Sequence, residues 1–82
     1  LTKVNGTVRQ DSTTSNMFIK IPSIISTLSE SMTLEPGDII STGTAAGVAL
    51  NNPNIPYLKD GDVIEMEIEK LGSIKNTVKF VD

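Results

Sequence analysis

The residues that could do chemistry fall into two groups, and neither contains a histidine or a cysteine, because the 82-residue chain has none. The first is "DIISTGTAAGVAL", residues 38–50, where Ser41, Thr42 and Thr44 stand among Gly43 and Gly47 at the end of an apolar run. Bare backbone beside a hydroxyl can present N–H and O–H donors to an anion. The second is acidic: Asp60-Gly61-Asp62, then Glu65-Met66-Glu67. Clustered carboxylates suit a hard cation such as Mg²⁺.

Each group also has a plainer reading. Asp-Gly-Asp before a strand is ordinary turn chemistry, and glutamates alternating with Ile64, Met66 and Ile68 describe the wet face of a half-buried strand. That account is the stronger one for the acids. A second hydroxyl run, Ser12 to Ser15 after Gln10, reads as a polar loop. Without histidine, no Ser-His-Asp arrangement can form within the chain. The glycines of residues 43–47 match neither a phosphate loop, lacking Gly-Lys-Ser/Thr, nor a dinucleotide fingerprint, lacking the helix that must follow. From chemistry alone, a structural turn and a carboxylate cradle fit this stretch equally well.

The elements that must position these residues follow from pattern. Asn5-Gly6 between two alternating stretches signals a hairpin with a type I′ turn. Ile21, Ile24, Ile25, Leu28 and Met32 share one helical face; Pro22 suits the first turn of that helix, which must end before Pro36. "EPGD" reads as a turn and "DIIST" as a buried strand. Residues 43–62 form a long loop broken by Pro53, Pro56 and Gly61. "VIEMEIEKLG" alternates strictly, "LGS" turns the chain, and "IKNTVKFV" is the last strand. The order β-β-α-β-β-β predicts a mainly β (α+β) fold with one short helix.

Composition bounds the partners. A net charge of −3 and a pI near 4.7 argue against nucleic acid, which needs a clustered basic face. The sequence holds no run of eighteen apolar residues, the length a membrane-spanning helix needs. Two Phe, one Tyr and no Trp leave a marginal core for a chain of this size. The opening "LTKVNGTVRQ" reads like the middle of a chain, and the expectation is a carboxy-terminal portion of a longer, cytoplasmic protein.

Taken in order, "VNGTVRQDSTTSNMFIKIPSIISTLSESMTLEPGDIISTGTAAGV" and then "YLKDGDVIEMEIEKLGSIKNTV" resemble the carboxy-terminal part of the fumarylacetoacetate hydrolase family. The family pattern there runs V-N-G, R-Q, a polar loop ending in N/S-M, a helix, T-L-x-P-G-D, G-T-P-x-G-V, L-x-x-G-D and an acidic strand. The resemblance implies that residues 1–82 are an incomplete part of a single catalytic domain built as a mixed β-sandwich roll. It implies a divalent-metal-dependent enzyme, a homodimer at full length, that hydrolyses C–C bonds of 2-oxo or β-diketo acids such as acylpyruvates, as in aromatic catabolism. An isomerase, decarboxylase or hydratase of the same family is the alternative, and so is a non-catalytic module that keeps the fold. Mg²⁺, Mn²⁺ or Ca²⁺ would be bound upstream by an Asp and an E-x-E pair, which Glu65-Met66-Glu67 is not. No metal ligand and no general base is expected in this chain.

One role carries over by resemblance: Thr44 matches the threonine that hydrogen-bonds the substrate carboxylate, with Gly43 permitting the approach. Gln10 and Met17 occupy family-typical positions and read as structural or interface residues. Ala45 replaces the usual proline, which loosens the turn. Ala49 replaces a glycine, which narrows the backbone angles available. The "NNPNIP" insert sets the chain apart from the shortest relatives.

Overall fold

The computed structural model describes residues 1–81. They divide into two compact units: residues 1–12 with the chain from Thr44 onward, and Thr13–Gly43.

The first unit is a four-stranded sheet of order β2-β1-β3-β4, made of β1 (Thr2–Val4), β2 (Thr7–Gln10), β3 (Val63–Ile68) and β4 (Gly72–Thr77). All three pairings are antiparallel. The hairpin signal at Asn5-Gly6 holds. Both residues take positive φ, 51° and 81°, as a type I′ turn requires, and Val4 pairs with Thr7 across them.

Asn5 also ties this hairpin to β3. Its amide N–H donates to the Val63 carbonyl at 2.8 Å, while its side-chain oxygen accepts from the Val63 N–H at 2.9 Å.

The alternation of β3 is as expected. Glu65 lies opposite Lys3 on one side and Lys75 on the other, forming a polar row in which Lys75 and Glu65 approach to 3.8 Å. Val4 pairs with Ile64, and Thr2 with Met66, on the opposite, apolar face. The β3–β4 turn comes earlier than "LGS". Residues Glu69–Leu71 make it, the Leu71 N–H donating to the Ile68 carbonyl at 3.0 Å, and Gly72 opens β4. Lys70 takes the left-handed angle, φ 68°, which L residues adopt less readily than glycine.

Asp60-Gly61-Asp62 is turn chemistry. Asp62 accepts hydrogen bonds from the Lys59 N–H (2.8 Å) and from the Asn5 side-chain amide (2.9 Å). Asp60 accepts from the Phe80 N–H at 2.6 Å. The Lys59 N–H first, then the Asn5 amide, hold the Asp62 carboxyl below the ordinary aspartate value, because both donate to its charged form.

The second unit contains a single 3₁₀ turn (Thr14–Asn16) and α1 (Ile21–Ser29). Pro22 sits in the first turn of α1 as expected. Met32, assigned to the same apolar face by its spacing, lies beyond the helix end. Pro36 and Gly37 form the expected turn: Gly37 has φ 95°, the Asp38 N–H donates to the Glu35 carbonyl, and the Asp38 carboxylate accepts from the Glu35 N–H at 2.8 Å.

The strand expected over "DIIST" is not formed. Ile39 is 92% exposed, and no ladder includes residues 38–42. An apolar run becomes a strand only with a neighbour to complete its hydrogen bonds, and no strand among the described residues pairs with it.

Val4 is the one apolar residue buried among those described. The marginal core foreseen from size and composition is thus smaller still. Many of the large apolar side chains of both units stand open. No helix of the described residues is long and apolar enough to cross a membrane.

Candidate functional site

The stretch around Thr44 takes its shape from the end of β2. Between the pairs Lys3–Val8 and Thr2–Gln10 the register shifts by one residue, so Arg9 is the extra residue of a β-bulge. Such bulges turn a side chain away from the face that strict alternation would give it. Counting by twos from Val8, whose partner Lys3 belongs to the polar row, would put Gln10 on the polar face. The bulge brings it instead opposite Thr2, on the apolar face.

There Arg9, Gln10, Thr2, Val4, Ile64 and Met66 line an open groove of about 380 Å³, completed by residues of the loop from Gly47 to Leu58. The Arg9 guanidinium donates to the Pro56 carbonyl at 3.3 Å.

Gly47 lets the loop lie on the bulge. A Cβ at this position would stand 1.9 Å from the Arg9 carbonyl oxygen and 2.8 Å from Gln10 Cγ, and its φ is +114°. Both facts demand glycine. At Gly43 only the second applies: φ is +98°, and a Cβ would meet nothing within 4 Å. Within the protein itself, bare backbone makes its close approach at Gly47 and not at Gly43. Ala49 is not among the residues with positive φ, so replacing the family's glycine there costs no backbone strain.

With loop and bulge in contact, the Gln10 side-chain nitrogen reaches Thr44 Oγ1 at 2.7 Å and the Ala45 carbonyl at 3.0 Å. The carbonyl can only accept, which identifies the group facing it as the amide NH₂. One N–H goes to each partner, so Thr44 Oγ1 is an acceptor toward Gln10 and retains its own proton. The nearest intramolecular acceptor for that proton is the Ala45 carbonyl at 3.4 Å, long for an O–H···O bond. Thr44 is exposed and can offer the proton to a ligand. Gln10, which the sequence reading placed among structural or interface positions, is the side chain that holds Thr44. Met17 is partly buried within the second unit.

Among the described residues no three acidic side chains gather as a cation site. Asp38, Asp60 and Asp62 are engaged in turns, and Glu65 faces Lys75. These described carboxylates are committed to turns and to a lysine and do not converge on one cation position.

Comparison with known proteins agrees with the motif order. The model for the carboxy-terminal region of fumarylacetoacetate (FAA) hydrolase matches residues 1–79. A protein of Archaeoglobus fulgidus is 48% identical over 81 residues, covering 99% of this chain and 30% of the relative. The fumarylacetoacetate hydrolase domain-containing protein 2 homolog of Dictyostelium discoideum is 52% identical over 77 residues, covering 93% of this chain and 25% of that protein. The oxaloacetate tautomerase YisK of Bacillus subtilis is 44% identical over 77 residues, covering 94% and 26%. The chain thus spans between a quarter and a third of the length of these curated relatives. A family model that takes in almost every residue, and relatives that align from hairpin to acidic strand, make the conclusion direct: this chain belongs to the fumarylacetoacetate hydrolase family, a family of enzymes.

Proposed function

We propose that the chain is the carboxy-terminal part of an enzyme acting on 2-oxo or β-diketo acids, in which Thr44 donates a hydrogen bond to the substrate carboxylate. The observation that carries this reading is the proton left on Thr44 Oγ1 once its oxygen accepts from Gln10. A charge-assisted O–H···O⁻ bond is shorter and roughly twice as strong as a neutral one. A carboxylate therefore displaces the weak contact to the Ala45 carbonyl.

The reaction proposed first is hydrolysis of a C–C bond in an acylpyruvate-like substrate. A tautomerase reading is the second, favoured by the similarity to a protein named for oxaloacetate tautomerisation. Both substrates carry a carboxylate next to an oxo group, so the same contact serves either. The Mg²⁺, Mn²⁺ or Ca²⁺ that the family resemblance implies would be held by residues outside these 82, as would the general base.

The test is kinetic, in the enzyme that carries this segment, with acetylpyruvate hydrolysis and the enol–keto conversion of oxaloacetate as assays. Thr44→Val should lower kcat/KM by about 1–3 kcal/mol, the cost of leaving a polar partner unmatched. Thr44→Ser should restore most of the loss. Unchanged kinetics in Thr44→Val would remove Thr44 from the site, and the faster of the two assays decides between hydrolase and tautomerase.

A further inference from the structure

We propose that Gln10 is a positioning residue for the carboxylate-binding hydroxyl, and that the β-bulge at Arg9 exists in this sheet to bring it there. The inference rests on the reading of Thr44 given above.

Two independent observations support it. The first is the register shift, without which Gln10 would share the polar face with Val8 and Lys3. The second is the bridge from one amide nitrogen to Thr44 Oγ1 and the Ala45 carbonyl. A threonine hydroxyl has one proton and two lone pairs, and left alone it rotates to whichever partner suits it. Occupying an acceptor site with the Gln10 N–H removes the orientations in which the proton would point at Gln10. The second N–H, on the Ala45 carbonyl, fixes the amide in this orientation, and the threonine's own 3.4 Å alternative is already long for an O–H···O bond. The hydroxyl is pre-set as a donor before substrate arrives, and less is lost in ordering it on binding. Gly47 makes the arrangement possible, since any side chain there would push the loop off Arg9 and Gln10.

Gln10 touches no substrate in this scheme. It acts through Thr44, which sets its test apart from that of a binding residue. The experiment is a double-mutant cycle in the whole enzyme, read as kcat/KM for acetylpyruvate, or for oxaloacetate if that is the reaction found. Gln10→Met keeps the length of the side chain and removes its donor. It should lower kcat/KM roughly 3- to 10-fold, the range of one neutral hydrogen bond. In a Thr44→Val background the same change should cost less than about twofold, because the residues act as a unit.

Gln10→Glu keeps the shape but turns a donor into an acceptor, which would draw the Thr44 proton toward itself. Its loss should exceed that of Gln10→Met at pH 8 and shrink as the pH is lowered toward protonation of the introduced carboxyl, relative to the wild-type profile. A merely structural role would not produce that recovery. If Thr44→Val itself has no effect, the functional reading fails and this inference with it. If Thr44→Val is costly but Gln10→Met is harmless, or is equally costly in both backgrounds, Gln10 does not act through Thr44 and only this inference is overturned. Should Gln10→Met fail to fold, the pH profile of Gln10→Glu decides alone: no recovery at low pH overturns the proposal.

Discussion

The two hairpins of the sheet are made from similar material to different ends. β3 and β4 pair through six residues without a break in register, from Val63–Thr77 to Ile68–Gly72. β1 and β2 pair through three, with a bulge before the pair farthest from the turn. The regular hairpin keeps strict alternation along both strands, with Glu65 opposite Lys75, and this cross-strand pair of charges faces water. The irregular one moves a polar side chain, Gln10, onto the apolar face and gives it a hydroxyl to hold. A broken ladder gives up hydrogen bonds and can re-aim a side chain in return. In this sheet the break lies beside Thr44, which the re-aimed Gln10 reaches.

The sharpest way to break the comparison uses one glycine from each hairpin's surroundings. Gly47 and Gly72 have nearly the same backbone angle, φ +114° and +105°, but only Gly47 has neighbours where a Cβ would be. Gly72→Ala should cost only the handedness penalty, about 1–2 kcal/mol. Gly47→Ala should add about 1–3 kcal/mol of overpacking and should also lower kcat/KM, as the loop lifts from the bulge. Thermal unfolding and kinetics of the two variants check both parts. Equal losses would mean that the loop does not rest on Arg9.

Acidification should give a smaller effect at the join between the hairpins. The folded-state pKa of Asp62 lies below its ordinary value, so this carboxylate stabilises the fold at neutral pH. The contribution begins to fall as pH drops through the ordinary aspartate range and is gone below the lowered folded-state value. Melting temperature followed from pH 7 downward should show a component that disappears in Asp62→Asn. A variant whose acid sensitivity equals the wild type would show that the Lys59 and Asn5 bonds carry no linkage.

The least effect is expected at the polar row. Lys75 and Glu65 are both substantially exposed and 3.8 Å apart. Lys75→Ala should change stability by no more than about 1 kcal/mol, an effect that fades in high salt. A larger change would make the regular hairpin's surface more than a solvated face.

The sequence made legible what depends on neighbouring residues. Asn5-Gly6 needs only its own left-handed angles to make a turn, and Asp62 needs only the amide three residues back. The alternation of β3 could be read because one face is apolar. What escaped depends on partners far along the chain. The bulge at Arg9 is a matter of register against β1, invisible to a count by twos, and so the contact of Gln10 with Thr44, 34 residues away, could not be read from spacing. "DIIST" looked like a strand because its apolar residues are contiguous, but a strand is defined by its neighbour. The turn after β3 was misplaced by two residues because Gly72 advertised a turn that Lys70 performs. Around the candidate site, motif order drew attention to the stretch that holds Thr44 and its glycines, while the closeness of Gly47 to Arg9 required coordinates.

The seam between the hairpins also bears on time. Asn5 and Val63 are joined by hydrogen bonds though 58 residues apart, whereas each hairpin closes across a short turn. Isolated hairpins form in roughly 1–10 μs. A pairing that must first close a long loop meets an entropic barrier before its contacts repay it. The β1–β3 seam is therefore expected to close after both hairpins have formed, and Asn5, a turn residue by sequence, stands at the point where that later pairing is sealed.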